Sequence, residues 1–180
     1  MERRFARLSS APELPPGASA VPDAGMCLSV FLVLRSADDA HRVLMGRVNP
    51  NAPWWEIGAI DPGRLERVGR SWMLPSRQLL FFEGFEEAAR AIARDQLGVD
   101  APALSGPQVF SDPARRPGSE SRDPHWDLHF VFEGRWPAAR PPSHPAWTEL
   151  AFVDVPRTSR TEMARGQGDV LELIGLVPAD

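Results

Sequence analysis

Apolar blocks separated by polar and proline-rich stretches predict a mixed order of strands and helices. The short, apolar and β-branched run Cys27–Leu34 predicts a buried strand, and His41–Val48 predicts its partner across a polar turn. Further strands are predicted at Ser71–Pro75, Pro107–Phe110, His125–Trp136 and Glu149–Val155. This order fits neither a regular βαβ repeat nor an all-β sandwich. We expect an α/β fold in which helices cover both faces of a mixed sheet.

The clearest helical pattern begins at Phe85. Charged residues lie mostly away from an apolar stripe that recurs at roughly helical spacing and consists of Phe85, Ala88, Ala89, Ile92 and Leu97. Gly98 predicts the end of this helix, because glycine readily adopts the conformation that terminates one. A second, shorter helix is predicted within Asp169–Val177.

The chain divides into a leader and one domain. Residues 1–25 carry four prolines and many small residues, so we expect an extended N-terminal leader, followed by a single domain at 26–180. Within that domain, Asn49–Gly69 combines prolines and glycines with apolar residues, which predicts an ordered excursion. Asp112–Asp123 and Pro137–Pro145 are predicted loops.

Composition and charge exclude several function classes. The net charge is −4 and no basic run stands out, which argues against bulk nucleic acid as a partner. The sequence has no lysine, so a lysine Schiff base is excluded. The single cysteine, Cys27, cannot form an internal disulfide, and no apolar run is long enough for a membrane span. We expect a cytoplasmic protein without a membrane partner.

The segment Trp72–Val99 carries a resemblance to a known family. It reads WMLPSRQLLFFEGFEEAARAIARDQLGV and resembles a Nudix box with its preceding strand. The family pattern, G-x5-E-x7-R-E-U-x-E-E-x-G-U with U an aliphatic residue, lies over Arg77–Val99 without a gap. The agreements are Glu83, the small apolar Ala93, Asp95 as a shorter acid, Gly98 and Val99.

The resemblance covers roughly residues 26–177 and implies a Nudix-type α/β/α sandwich with a mixed sheet. It also implies that acidic residues of the box helix hold Mg²⁺ or Mn²⁺, which bridges substrate phosphates and activates the attacking water. By this resemblance the metal ligands are Glu83 and Asp95, with Gln96 able to give a neutral carbonyl oxygen and Glu149 as a further carboxylate.

The box departs from the family pattern at several positions. Arg77 stands where the box begins with glycine, Ala91 and Ile92 occupy the Arg-Glu positions, and Gln96 replaces the last glutamate. Ile92 can serve neither as a base nor as a ligand. Glu83 is open to a second interpretation, as an acid placed favourably near the helix N-terminus.

GDP-mannose mannosyl hydrolases also depart from the usual Arg-Glu pattern, and this chain is loosely similar to them. That resemblance makes His144 and His129 the candidate catalytic residues, and Asp127 a candidate substrate-binding residue. His129 is alternatively a hydrogen-bonded core histidine, and His144 is alternatively an unremarkable loop residue. Arg47 and Arg77 are candidate contacts to substrate phosphates, although Arg77 could equally block the site.

Two functions are compatible with the sequence. The first is a divergent, metal-dependent hydrolase of a nucleoside diphosphate linked to another group. The second is a catalytically inactive Nudix-like module that binds a nucleotide-like small molecule or a protein. A homodimer is expected by analogy with other Nudix-like domains.

Overall fold

A mixed β-sheet lies at the centre of the computed structural model, which describes residues 26–58, 60, 62–80, 82–113, 126–164 and 166–178. The strands are β1 (Met26–Arg35), β2 (Arg42–Val48), β3 (Ser76–Gln78), β4 (Leu104–Pro113), β5 (Trp126–Arg135) and β6 (Trp147–Asp154). In these residues the strand order is β4-β5-β1-β2-β6, and β3 pairs with β1. β1 and β5 run parallel, and the other pairs are antiparallel.

Helices pack on both faces of this sheet. The helices are α1 (Trp54–Ile57), α2 (Pro62–Val68), α3 (Phe85–Leu97) and α4 (Gln167–Leu173), with 3-10 turns at Val155–Arg157 and Arg160–Glu162. Alternate residues of β1 point to opposite faces. Val30, Leu32 and Leu34 therefore pack with the apolar stripe of α3, whereas Phe31 and Val33 pack with α4.

A third apolar cluster surrounds the segment between β2 and β3. Trp54 of α1 is fully buried there and meets the ring of Trp147 edge to face, with 4.8 Å between ring centroids. This is the ordered excursion that Asn49–Gly69 predicts, and Trp54 is part of the core.

Most predicted elements are confirmed. β1, β2, β5 and β6 lie within a residue or two of their predicted positions, and the main helix ends at Leu97 before Gly98, whose φ of 69° is left-handed. β4 begins earlier than predicted, at Leu104, and the predicted loop from Asp112 overlaps its last two residues. The C-terminal helix is shorter than predicted and lies slightly earlier.

The predicted strand at Ser71–Pro75 is wrong. Trp72 and Met73 form only isolated bridges, to Met163 and Gly46, and the regular strand begins at Ser76. The physical reason is that this segment divides its hydrogen bonds between several partners. The Leu74 N–H, for example, donates to the side-chain oxygen of Gln167.

Two predictions concern residues that lie partly or wholly outside the described ranges. The leader at 1–25 and most of the predicted loop at 112–123 lie outside the described residues. Among the described helices, none is long and apolar enough to cross a membrane.

Candidate functional site

The short β3 strand and the start of α3 position the candidate site. β3 pairs antiparallel with β1, with Val30 opposite Arg77, so Arg77 extends toward the face that α3 covers. In the connecting loop, a carboxylate oxygen of Glu83 accepts a hydrogen bond from the Leu80 N–H at 2.9 Å. The box segment therefore places Glu83 beside Arg77 just before α3 begins.

Arg77 lies between two of the predicted metal ligands. Its guanidinium is 3.6 Å from a carboxylate oxygen of Glu83 and 4.0 Å from one of Asp95. Residue Arg77 is 7% exposed, so this is a buried cation. A buried charge requires compensating partners, and the two carboxylates provide them.

A second arginine contacts the same aspartate from the solvent side. Arg94 donates hydrogen bonds to both carboxylate oxygens of Asp95, at 2.7 and 3.1 Å. These hydrogen bonds, together with the negative charge of Asp95, raise the pKa of the Arg94 guanidinium. Arg77, Glu83, Arg94 and Asp95 form what we call the four-charge cluster. Its two cations cancel its two anions.

Gln96, the third predicted metal ligand, forms hydrogen bonds with the backbone of two other segments. Its side-chain oxygen accepts from the Ser76 N–H at 3.1 Å, and its amide nitrogen donates to the backbone oxygens of Ser76 and Ile57 at 2.8 and 2.9 Å. The residue is fully buried. Its amide therefore holds β3 and α1 against the box helix.

Ile92, at the position of the box glutamate, belongs to the apolar core. It is fully buried and packs with Val30, Leu32 and the aromatic residues of β5. The same face of the helix that carries an acid in the family pattern is used here for packing.

These residues do not fit a divalent ion at the place that the resemblance implies. Mg²⁺ and Mn²⁺ need hard oxygen ligands at short distance, but the two available carboxylates face an arginine. In the described ranges, no group of three or more His, Cys, Asp or Glu side chains is arranged to hold a metal ion.

Arg47 and Glu149 form a separate pair at the edge between β2 and β6. The Arg47 Nε donates to a Glu149 carboxylate oxygen at 3.1 Å, and the guanidinium lies over the ring of Trp72 at 4.3 Å from its centroid. Arg47 also donates to the backbone oxygen of Arg70. Arg47, a predicted phosphate-binding residue, thus already interacts with several groups of the protein.

The predicted catalytic histidines lie in two other places. His144 accepts a hydrogen bond from the Ala146 N–H through Nδ1 and lies against Gly98, at the C-terminal end of the box helix. His129 is buried on the α4 face of the sheet, where its ring meets Phe31 edge to face at 5.3 Å. Asp127 precedes it by two residues on β5 and so shares that face.

A small pocket, largely open to solvent, lies where β1 and β3 meet the segment that carries α1 and α2. It is lined by polar, apolar and basic residues, which are Ser29, Phe31, Gly58, Ile60, Arg64, Met73, Ser76, Arg77 and Gln78. Of these, the sequence singled out only Arg77. One signal was present in the sequence, because Ser29 interrupts the otherwise apolar strand Cys27–Leu34.

Comparison with known proteins shows which solved structures share this fold. No protein-family model and no curated protein sequence matches the chain. Among solved structures, the Escherichia coli dihydroneopterin triphosphate pyrophosphohydrolase matches with a TM-score of 0.55 at 13% identity, covering 86% of this chain and 97% of that one. A MutT protein from Methanosarcina mazei matches with a TM-score of 0.55 at 14% identity, covering 87% and 95%. The chain has the Nudix fold.

A third match adds a ligand-bound example. The Nudix domain of Shewanella oneidensis NrtR, solved with ADP ribose, has a TM-score of 0.54 at 15% identity and covers 90% of this chain and 92% of that one. The expected Nudix-type sandwich is confirmed, with box helix and strands in the expected order. The closer resemblance to GDP-mannose mannosyl hydrolases stays a prediction.

Proposed function

We propose that this chain is a Nudix-fold module that binds a nucleoside diphosphate derivative and does not hydrolyse it by the metal-dependent route. The observation that carries the proposal is the position of Gln96. Its oxygen and its amide group are both used by the backbone of Ser76 and Ile57, so the residue serves structure where the family pattern has a metal-binding acid. The burial of Ile92 supports the same conclusion at the box glutamate position.

The small pocket beside β3 is where we propose that this ligand makes contact. Ligand sites combine apolar walls with a few polar groups that fix orientation. Here Phe31 and Met73 offer apolar surface, Ser29 and Gln78 offer polar groups, and the guanidinium of Arg64 supplies positive charge suited to a diphosphate. The Nudix domain of S. oneidensis NrtR in complex with ADP ribose is a precedent for this ligand class on the same fold.

The competing hypothesis is a divergent hydrolase with Mg²⁺ or Mn²⁺ at Glu83, Asp95 and Glu149 and with His144 or His129 as the base. In the structure these groups are dispersed. Glu83 and Asp95 face Arg77, Glu149 is paired with Arg47 on β2, and the two histidines lie elsewhere. Metal-assisted hydrolysis requires a metal, a base and the phosphate at one point. We therefore favour binding over turnover.

Calorimetry with ADP ribose, nucleoside diphosphate sugars and the parent nucleotides tests the proposal, combined with an assay of product formation in Mg²⁺ and Mn²⁺. We expect saturable binding of at least one compound and no turnover. The variant Ser29→Phe should abolish binding by filling the pocket, whereas Ser143→Phe adds the same ring to an exposed loop and should bind normally. Turnover that is lost in Asp95→Ala supports the hydrolase instead. Absence of binding across the whole panel contradicts both the ligand class and the pocket.

The sequence also predicts a homodimer and a cytoplasmic location. Sedimentation of the purified chain tests the first prediction, and localisation of a tagged chain tests the second.

A further inference from the structure

We propose that the Arg77 guanidinium is a built-in cation that takes the place of a divalent ion between Glu83 and Asp95, so that the box helix needs no metal. This inference concerns the protein without ligand and does not depend on the proposed function. It rests on the position, burial and contacts of one side chain.

The first step is that both carboxylates face the same cation. Arg77 comes from β3, Glu83 from the loop and Asp95 from the last turn of α3, and the guanidinium lies 3.6 and 4.0 Å from the carboxylate oxygens of Glu83 and Asp95. The Glu83 side chain is 10% exposed and the Asp95 side chain 29% exposed. Two carboxylates held near each other away from bulk water repel each other. A cation between them offsets this electrostatic repulsion.

The second step is that Arg77 acts here mainly through its charge. At 3.6 and 4.0 Å, neither ion pair is as short as a hydrogen bond. The Arg77 Nε is buried and has no hydrogen-bond partner. A guanidinium selected for directional recognition would form close paired hydrogen bonds with a carboxylate. The cluster therefore requires positive charge at this point more than it requires a particular geometry.

The consequence is that removing Arg77 should expose a cation site. Without it, Glu83 and Asp95 would share a space that contained a guanidinium. Arg94 forms its ion pair with Asp95, and it does so from an exposed position, with 70% of its side chain accessible. A small divalent ion can then approach both carboxylates, which are the ligand type that such ions prefer.

Mn²⁺ binding, followed by electron paramagnetic resonance of the free ion, tests the inference on the full chain. We expect the wild type to bind Mn²⁺ at least tenfold more weakly than Arg77→Ala, whose dissociation constant should lie in the weak-site range of about 0.1–1 mM. Adding Asp95→Asn to Arg77→Ala should abolish the gained site. The matched control Arg94→Ala also removes one arginine beside Asp95 but leaves Arg77, and it should gain no site.

A second measurement covers the case in which Arg77→Ala does not fold. Thermal unfolding of Arg77→Met, Glu83→Gln and the double variant reports whether Arg77 neutralises Glu83. The double variant should melt at a higher temperature than Arg77→Met, because it no longer contains an unpaired buried carboxylate. The inference is overturned if the double variant melts lower, if the wild type binds Mn²⁺ as tightly as Arg77→Ala, or if a folded Arg77→Ala gains no site.

Discussion

The side-chain amide of Gln96 pairs with both backbone groups of Ser76 across 20 positions of the chain, accepting at 3.1 Å and donating at 2.8 Å. It contacts β3 as a neighbouring strand would, from within a helix. A glutamate at this position would lack the donor that the backbone oxygens of Ser76 and Ile57 require. The residue that makes the box look degenerate thus connects three elements of the fold.

Gln96→Glu should therefore destabilise the protein although it restores the family pattern. The variant leaves two buried acceptors without a donor and buries a charge without a partner, which costs about 3–5 kcal/mol of unfolding free energy. Urea denaturation measures the loss. Gln108→Glu is the matched control, because Gln108 is exposed and donates only to Glu133; it should cost less than about 1 kcal/mol. Equal losses would contradict a structural role for Gln96.

Gly46→Ala tests the packing that holds the end of the box helix. A Cβ atom at Gly46 would lie 2.3 Å from the ring of Trp147, and that ring donates through Nε1 to the backbone oxygen of Gln96. We expect a loss of about 1–3 kcal/mol from overpacking, measured by urea denaturation. At Gly84 an added Cβ meets nothing within 4 Å, so Gly84→Ala should cost less than about 1 kcal/mol.

Phe82 tests backbone strain in the loop before the helix. Its φ is 64°, in the left-handed region where residues other than glycine are disfavoured, and the residue is 94% exposed. Phe82→Gly should therefore be more stable than Phe82→Ala by about 1 kcal/mol, since both remove the ring but only glycine relieves the strain. Thermal unfolding compares the two. If Phe82→Ala is the more stable variant, the left-handed conformation of residue 82 is not kept in solution.

Arg47→Met tests what holds the edge between β2 and β6. The change removes an ion pair with Glu149, a hydrogen bond to the Arg70 backbone and a stacked contact on Trp72. We expect a loss of about 1 kcal/mol, larger than that of Glu149→Gln, which removes only the exposed ion pair. A phosphate contact by Arg47 predicts, in addition, weaker ligand binding by the same variant. Calorimetry separates the two roles.

The sequence was sufficient for the fold because its strongest signals are local. The apolar stripe of α3 and the terminating Gly98 fix the box helix, and the apolar run from Cys27 fixes the central strand. The strand prediction at Ser71–Pro75 was wrong because the sequence pattern is typical of a strand, whereas its hydrogen bonds go to residues as distant as Gln167. Local periodicity contains no information about such partners.

The candidate site was less predictable for a related reason. Arg77 lies in a short polar segment, and nothing near it in sequence indicates that it is buried between Glu83 and Asp95. The partners of Gln96 lie on β3 and α1, far from it along the chain. The sequence identified the positions where the box had changed, and only their three-dimensional contacts define what the new residues do.

The packing of Ile92, the hydrogen bonds of Gln96 and the ion pairs of Arg77 together limit how metal ligands could be introduced into this helix. Glycine at 77 would leave isoleucine in the core at 92, and glutamate at 96 would break the contacts with β3 before a ligand set is complete. We expect each of these substitutions alone to reduce stability without creating a metal site. A designed metal site at this helix would therefore require several substitutions made together.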